Sequence, residues 1–192
     1  MLLAASYSAY QSWSLRTLTH APGVLVAEEP LQVMIEGTPP VFNKNGYALV
    51  AQASYRIRGR LLHLERYRFD ASSGISPIDF GLGWGPMSDS AVLDQIEFDQ
   101  SARYLSWRWH TPQPPIPFEL LNSHASNTHL IPADDSIFRS LNKVRVGQVV
   151  ELEGYLVKVS GPDGFNWSGS LTRTDQGRGA CEVMYVQNAR II

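Results

Sequence analysis

Tyr47-Ala-Leu-Val-Ala-Gln-Ala-Ser-Tyr-Arg-Ile-Arg-Gly-Arg-Leu-Leu-His-Leu64 is the run whose reading decides the fold. In its second half Arg56, Arg58 and Arg60 alternate with Tyr55, Ile57, Gly59 and Leu61. Side chains that alternate with a period of two line opposite faces of a strand, so the run reads as a half-buried strand. Its arginines are expected on a solvated face, balanced by Glu65 and Asp70. Outward from it, Gln148 to Ser160 is a second strand. Its apolar positions are Val150 and Leu152 before Gly154, and Tyr155, Val157 and Val159 after it. That change of phase predicts a bulge or a sharp bend at Gly154. The turn Gly161-Pro162-Asp163-Gly164 leads to a hairpin partner over Phe165 to Leu171. Cys181 to Ile192 is a final strand, apolar on both faces in its first half and therefore central in a sheet.

Helices are fewer. Ser88 is expected to cap Asp89 to Ile96, Pro117 to open one turn through Leu121, and Asp134 to Asn142 to form a third helix with Ile137 and Leu141 on one face. Clusters of Gly and Pro, such as Thr38-Pro39-Pro40, Gly81 to Pro86 and Thr111 to Pro117, punctuate the chain as loops. The expected fold is α+β and predominantly β: a single antiparallel, β-barrel-like sheet with two or three short helices and long loops. Residues 1–192 form one globular domain, within which 1–20 is a frayed or extended segment. The opening Met1-Leu2-Leu3-Ala4-Ala5-Ser6 lacks the basic leader of an export signal.

Composition narrows the function. A chain of 192 residues with 44% apolar residues buries roughly two-thirds of its unfolded surface without a covalent staple. Sixteen Lys and Arg against eighteen Asp and Glu give a net charge of −2, so no overall field draws in nucleic acid, which is not an expected partner. Cys181 is the only cysteine, which excludes an internal disulfide and a polythiolate zinc site. No run approaches the ~20 apolar residues of a membrane-spanning helix. The chain is expected to be soluble, with its compartment open between cytoplasm and periplasm.

Two resemblances add to this. The stretch Val144 to Val159, a Gly turn feeding a strand bent at Gly154, resembles the opening strands of small barrels of the OB type. The motifs Gly83-Trp84-Gly85-Pro86-Met87-Ser88-Asp89, Ser126-Asn127-Thr128-His129-Leu130-Ile131-Pro132-Ala133, and Leu171-Thr172-Arg173-Thr174-Asp175 followed by Gly179-Ala180-Cys181-Glu182 resemble a family of uncharacterised bacterial proteins. That likeness covers residues 45–190 and implies no activity.

For chemistry, Cys181 with His124 and His129 are the catalytic candidates, because an imidazole that takes the thiol proton makes a nucleophile. Against this, cysteine is a common core residue, and Cys181 shares strand parity with Val183 and Tyr185. His63, His124, His129, Asp79 and Glu182 are metal-type ligands, but the spacing of five between His124 and His129 suits neither one helix face nor one strand face. No metal and no cofactor is therefore expected. The cluster Gly81 to Pro86 has neither the dinucleotide-binding spacing nor a P-loop lysine, and reads as a rigid loop packed around Trp84. Arg173, Asp175 and Arg178 with Glu182 form either a recognition cluster for a carboxylate or a sugar, or a salt-bridged loop. The leading expectation is a non-catalytic binding or assembly module whose polar loop surface, with Trp84, Asn127, Arg173 and Asp175, engages a protein or a small ligand. A Cys/His-dependent hydrolase or transferase is the alternative, and an OB-like nucleic-acid-binding domain reading the arginine stripe is the second.

Overall fold

The computed structural model describes residues 17–172 and 181–192. Strands are β1 (Leu31–Met34), β2 (Val41–Lys44), β3 (Tyr47–Arg66), β4 (Ile78–Gly83), β5 (Ile96–Ser101), β6 (Tyr104–Trp109), β7 (Ala125–Pro132), β8 (Val149–Ser160), β9 (Asn166–Ser168) and β10 (Glu182–Ile191). Three short helices are α1 (Ser90–Leu93), α2 (Phe118–Ser123) and α3 (Asp135–Asn142). The molecule is mostly β, built on one large mixed sheet that is largely antiparallel. None of the described helices is long and apolar enough to cross a membrane.

The run that opened the sequence reading is β3, the organising strand. Its residues 48–60 pair with β8 along one edge, while the other edge pairs in turn with β2, β1 and, from Arg60 to Arg66, β4. β4 pairs with β7, β7 with β10, and β10 with β8, so the hydrogen-bonded path leaves β3 and returns to it. One apolar cluster takes a side chain from each strand of that path: Ile57, Phe80, Leu130, Met184 and Leu152. A second cluster, with Leu49, Ile131, Val157, Val159 and Val183, takes residues of the opposite parity on β7, β8 and β10, and reaches Leu49 across the register shift between Ala51 and Ala53 of β3. The expected fully antiparallel sheet is corrected at one place, where β7 and β10 run parallel. A parallel pair needs a long crossover, and α3, β8 and β9 supply it.

The phase change in β8 has a different origin from the bend anticipated. Val150, Leu152 and Leu156 face the first cluster throughout, whereas Tyr155, Val157 and Val159 face the second. Both faces of the strand's second half are covered, and the apolar residues switch faces accordingly. The register shifts sit in its partners, between Val186 and Asn188 on β10 and between Ala51 and Ala53 on β3. Gly154 lies at the first shift, where an added Cβ would come 1.9 Å from the carbonyl oxygen of Tyr185.

The arginine stripe is also corrected. Arg56 donates to Glu151 (2.8 Å) and lies 3.4 Å from Glu153, and Arg58 and Arg190 also meet Glu151. Arg60 is buried, with 5% exposure. Glu65 and Asp70 are not the counter-ions of this face; Asp70 pairs with Arg103 (2.9 Å).

At the helices, Asp89 rather than Ser88 caps α1, accepting from Ala91 N at 2.8 Å. Ser88 is buried and its hydroxyl accepts from the backbone of Leu25 and Val26, pinning the extended segment before β1. Asp134 caps α3 through Ser136 N and Ile137 N. Within the supposedly frayed start, residues 17–20 are tied down: Leu18 N donates to Val146 O and His20 Nε2 bonds Gly147 O, both at 2.8 Å. The hairpin partner expected over Phe165 to Leu171 shrinks to the three residues of β9.

A second hairpin, β5–β6, has no counterpart in the sequence reading. Its two-residue turn is Ala102-Arg103, both with positive φ (47° and 70°). Such turns match strand twist but normally carry Asn-Gly, as the β2–β3 turn does at Asn45-Gly46.

Candidate functional site

Asp79 on β4 stands opposite His129 on β7, and Gly81 opposite Asn127. Residues i and i+2 share a strand face, so Asp79, His129 and Asn127 project together. Cys181 precedes β10 by one residue and has the parity of Val183, which pairs with His129. This face is the one that carries the second apolar cluster. Gly81 is what lets the β5–β6 hairpin cross here, since a Cβ would come 2.9 Å from Leu105 Cδ1. The crossing brings the turn residue Arg103 down onto Asp79.

Arg103 is held from every side. Nη1 donates to Asp79 Oδ1 (2.8 Å), Nε and Nη2 form a fork on the two oxygens of Asp70 (3.0 and 2.9 Å), and Nη2 also reaches Ser76 O (2.9 Å). Its guanidinium carbon lies 3.7 Å from the centre of the Tyr67 ring. Burial, reinforced by the charge of Asp79, pushes the Tyr67 phenol up to about 12, so it stays neutral. Burial alone would raise Asp70, but hydrogen bonds from Arg103 and Ser72 outweigh it and hold this carboxyl below its ordinary range.

Asp79 is fully buried, and its second oxygen lies 2.8 Å from Nδ1 of His129, itself 4% exposed. The distance is that of a hydrogen bond, but the alignment is not, because neither atom meets the angular requirement for one. The two atoms are in close contact without forming a hydrogen bond. The His129 ring packs against Trp167, with centroids 4.8 Å apart.

A directed chain of amides runs beneath. Gln100 Nε2 donates to Asn127 Oδ1 (2.5 Å), and Asn127 Nδ2 donates to Arg103 O (2.7 Å) and to Cys181 Sγ (3.3 Å). With its amide nitrogen so used, Gln100 offers Oε1 to Nδ1 of His63 at 3.3 Å, which makes that ring nitrogen the donor.

Above these groups opens a cleft of about 300 Å³. Its walls are Tyr104, Phe165 and Trp167, its rim polar groups are Ser72, Asn166 and Ser168, and its floor is Arg103, His129 and Cys181. Cys181 is thus half-buried and lines the cleft rather than lying in the core. His124 is not part of the site. It ends α2, where Nδ1 lies 2.9 Å from Ser123 Oγ, and its ring packs beside Trp84. Five strand residues place it roughly 16 Å along β7 from His129. Trp84, 1% exposed within the first apolar cluster, is corrected from binding residue to core residue. Glu182 is buried with the parity of Thr128 and Met184, the other face of the sheet. Arg173, Asp175 and Arg178 lie outside the described residues.

Among the described residues no three His, Cys, Asp or Glu side chains group as a metal site requires. Comparison with models of protein families, with curated proteins and with solved structures gives no match.

Proposed function

We propose that this chain is a non-catalytic binding module of OB-like barrel architecture, and that it holds a neutral, ring-shaped polar ligand such as a sugar in the cleft over β4 and β7. The architecture is supported by the closed path of five strand pairings, the parallel β7–β10 pair, and α3 between β7 and β8. OB folds bind along the face of their second and third strands and the adjoining loops, and β4 and β7 occupy those places on the path. One observation carries the ligand reading: the cleft combines three aromatic walls with hydroxyl and amide rim groups, while its arginine is already neutralised by Asp70 and Asp79. Aromatic faces with a few fixed polar groups are the usual make-up of small-molecule sites. Arg56, Arg58 and Arg190 share Glu151, and Arg56 also lies near Glu153, so the stripe is partly offset by acids rather than open along its length, which argues against a nucleic-acid surface.

The test is saturation-transfer NMR with maltose, cellobiose and chitobiose. Transfer to at least one disaccharide is expected, and it is lost in Trp167→Ala. A folded protein that gives no transfer to any of the three overturns the reading.

A second reading, a thiol-dependent hydrolase or transferase, is favoured by the placement of Cys181 and His129 in one cleft with Asp79 against Nδ1. It requires that iodoacetamide alkylate native Cys181 faster than a free cysteine at pH 7, and that His129→Gln remove the advantage. Binding that survives Cys181→Ala favours the module.

A further inference from the structure

Arg60 is the one buried arginine among the described residues, and it is treated very differently from the half-buried Arg103. It lies where β3 changes partner, paired at once with Gly83 on β4 and Val149 on β8. Its described hydrogen bonds both leave from Nη1, to Ser88 O (3.0 Å) and Ser90 Oγ (2.8 Å), and both acceptors are neutral. No ion pair among the described residues includes it. Asp94 and Asp89 act on it only at longer range, and burial is the largest influence, lowering its pKa from the ordinary value. An arginine remains charged regardless, and a buried charge that meets no carboxylate is costly.

The same residue lines a second cleft, of about 500 Å³, between β3 and β5. Leu62, Leu93, Ile96 and Phe98 form its apolar wall, and Asp94 and Glu97 also line it. The two carboxylates disfavour a doubly charged ligand such as phosphate, whereas one carboxylate matches the Nε–Nη2 fork that the described bonds leave unused. The apolar wall would take a hydrocarbon body.

We propose that this cleft is a binding site for a small organic acid with a single carboxylate on an apolar body, the carboxylate resting on the Nε and Nη2 edge of Arg60. The site is separate from the cleft over β4 and β7 and does not depend on how that one is used.

Titration of the isotope-labelled full chain with phenylacetate, phenylacetamide and inorganic phosphate, followed by methyl NMR, tests this. The expected result is saturable shifts of the Leu93 and Ile96 methyls with phenylacetate, and at least tenfold weaker binding of phenylacetamide. Arg60→Gln should weaken phenylacetate by a similar factor, while Trp167→Ala leaves it unchanged. Should Arg60→Gln fail to fold, Leu93→Trp fills the cleft and is expected to abolish the shifts. The proposal falls if the amide binds as well as the acid, if phosphate binds more tightly, or if the folded protein shows no shift at these methyls with phenylacetate.

Discussion

Ala102 and Arg103 carry an unusual burden for side-chain-bearing residues, since both adopt positive φ in a two-residue turn. A left-handed conformation costs an ordinary residue about 1–2 kcal/mol. The ion pairs of Arg103 with Asp70 and Asp79 are what hold the turn in place. Ala102 makes no comparable contact in the site, so Ala102→Gly should relieve strain without loss and raise the melting temperature by about 2–4 °C, measurable by calorimetry. Arg103→Gln has the opposite outcome. It strands the fully buried Asp79 carboxylate, and breaking such a pair costs about 3–5 kcal/mol. The double variant Arg103→Gln, Asp79→Asn should recover part of that loss in urea unfolding. No sequence rule exposes this centre, because Arg103 stands in a turn lacking Gly and Asn, and its partners lie far from it in sequence, on the β3–β4 connection and on β4. Asn127 and His129 were legible only as polar candidates in the motif Ser126 to Ala133, without the strand that aligns them. Trp84 misled because a tryptophan among glycines reads equally well as a rim or a core.

At the level of elements, periodicity worked where one face met water and failed where both were covered. From Tyr55 to Gly59 β3 alternates as its sequence says, but Arg60 departs from the stripe because α1 and its cap close over that end of the strand. β8 broke its alternation because both of its faces are covered, and nothing in one strand's own sequence reveals that a second apolar cluster lies behind it. Gly154 marks the true irregularity, on the neighbouring strand. Replacing it with alanine drives a methyl into the backbone of Tyr185, so Gly154→Ala should lower stability by about 2 kcal/mol or more. An unchanged urea midpoint for this variant would contradict the register described for β10.

For the molecule as a whole, mostly-β character with short helices could be read from the turns and the runs between them, and the central place of β10 from its two apolar faces. The parallel β7–β10 pair could not, because order within a sheet depends on contacts far apart in sequence. Charge balance at this scale sets the acid response. Hydrogen bonding from Arg56, assisted by Arg190, holds Glu151 below its ordinary value of 4.5, and Asp70 is likewise depressed. A carboxylate with a lowered folded-state pKa contributes its full stability above the unfolded value and loses it as the pH falls through the folded one. Urea midpoints should therefore hold steady from neutral pH to about pH 5 and decline below about pH 4.5, and Glu151→Gln should flatten that decline.

The position of β10 also governs when this chain can fold during its own synthesis. The ribosome makes it after every other described strand, yet it must wedge between β7 and β8, both of which wait until then with an unpaired border. A nascent chain stalled before Glu182 would present those borders, with the first apolar cluster lacking Met184 and Val186 and the second lacking Val183, making it a client for chaperones until release lets the final strand slot home.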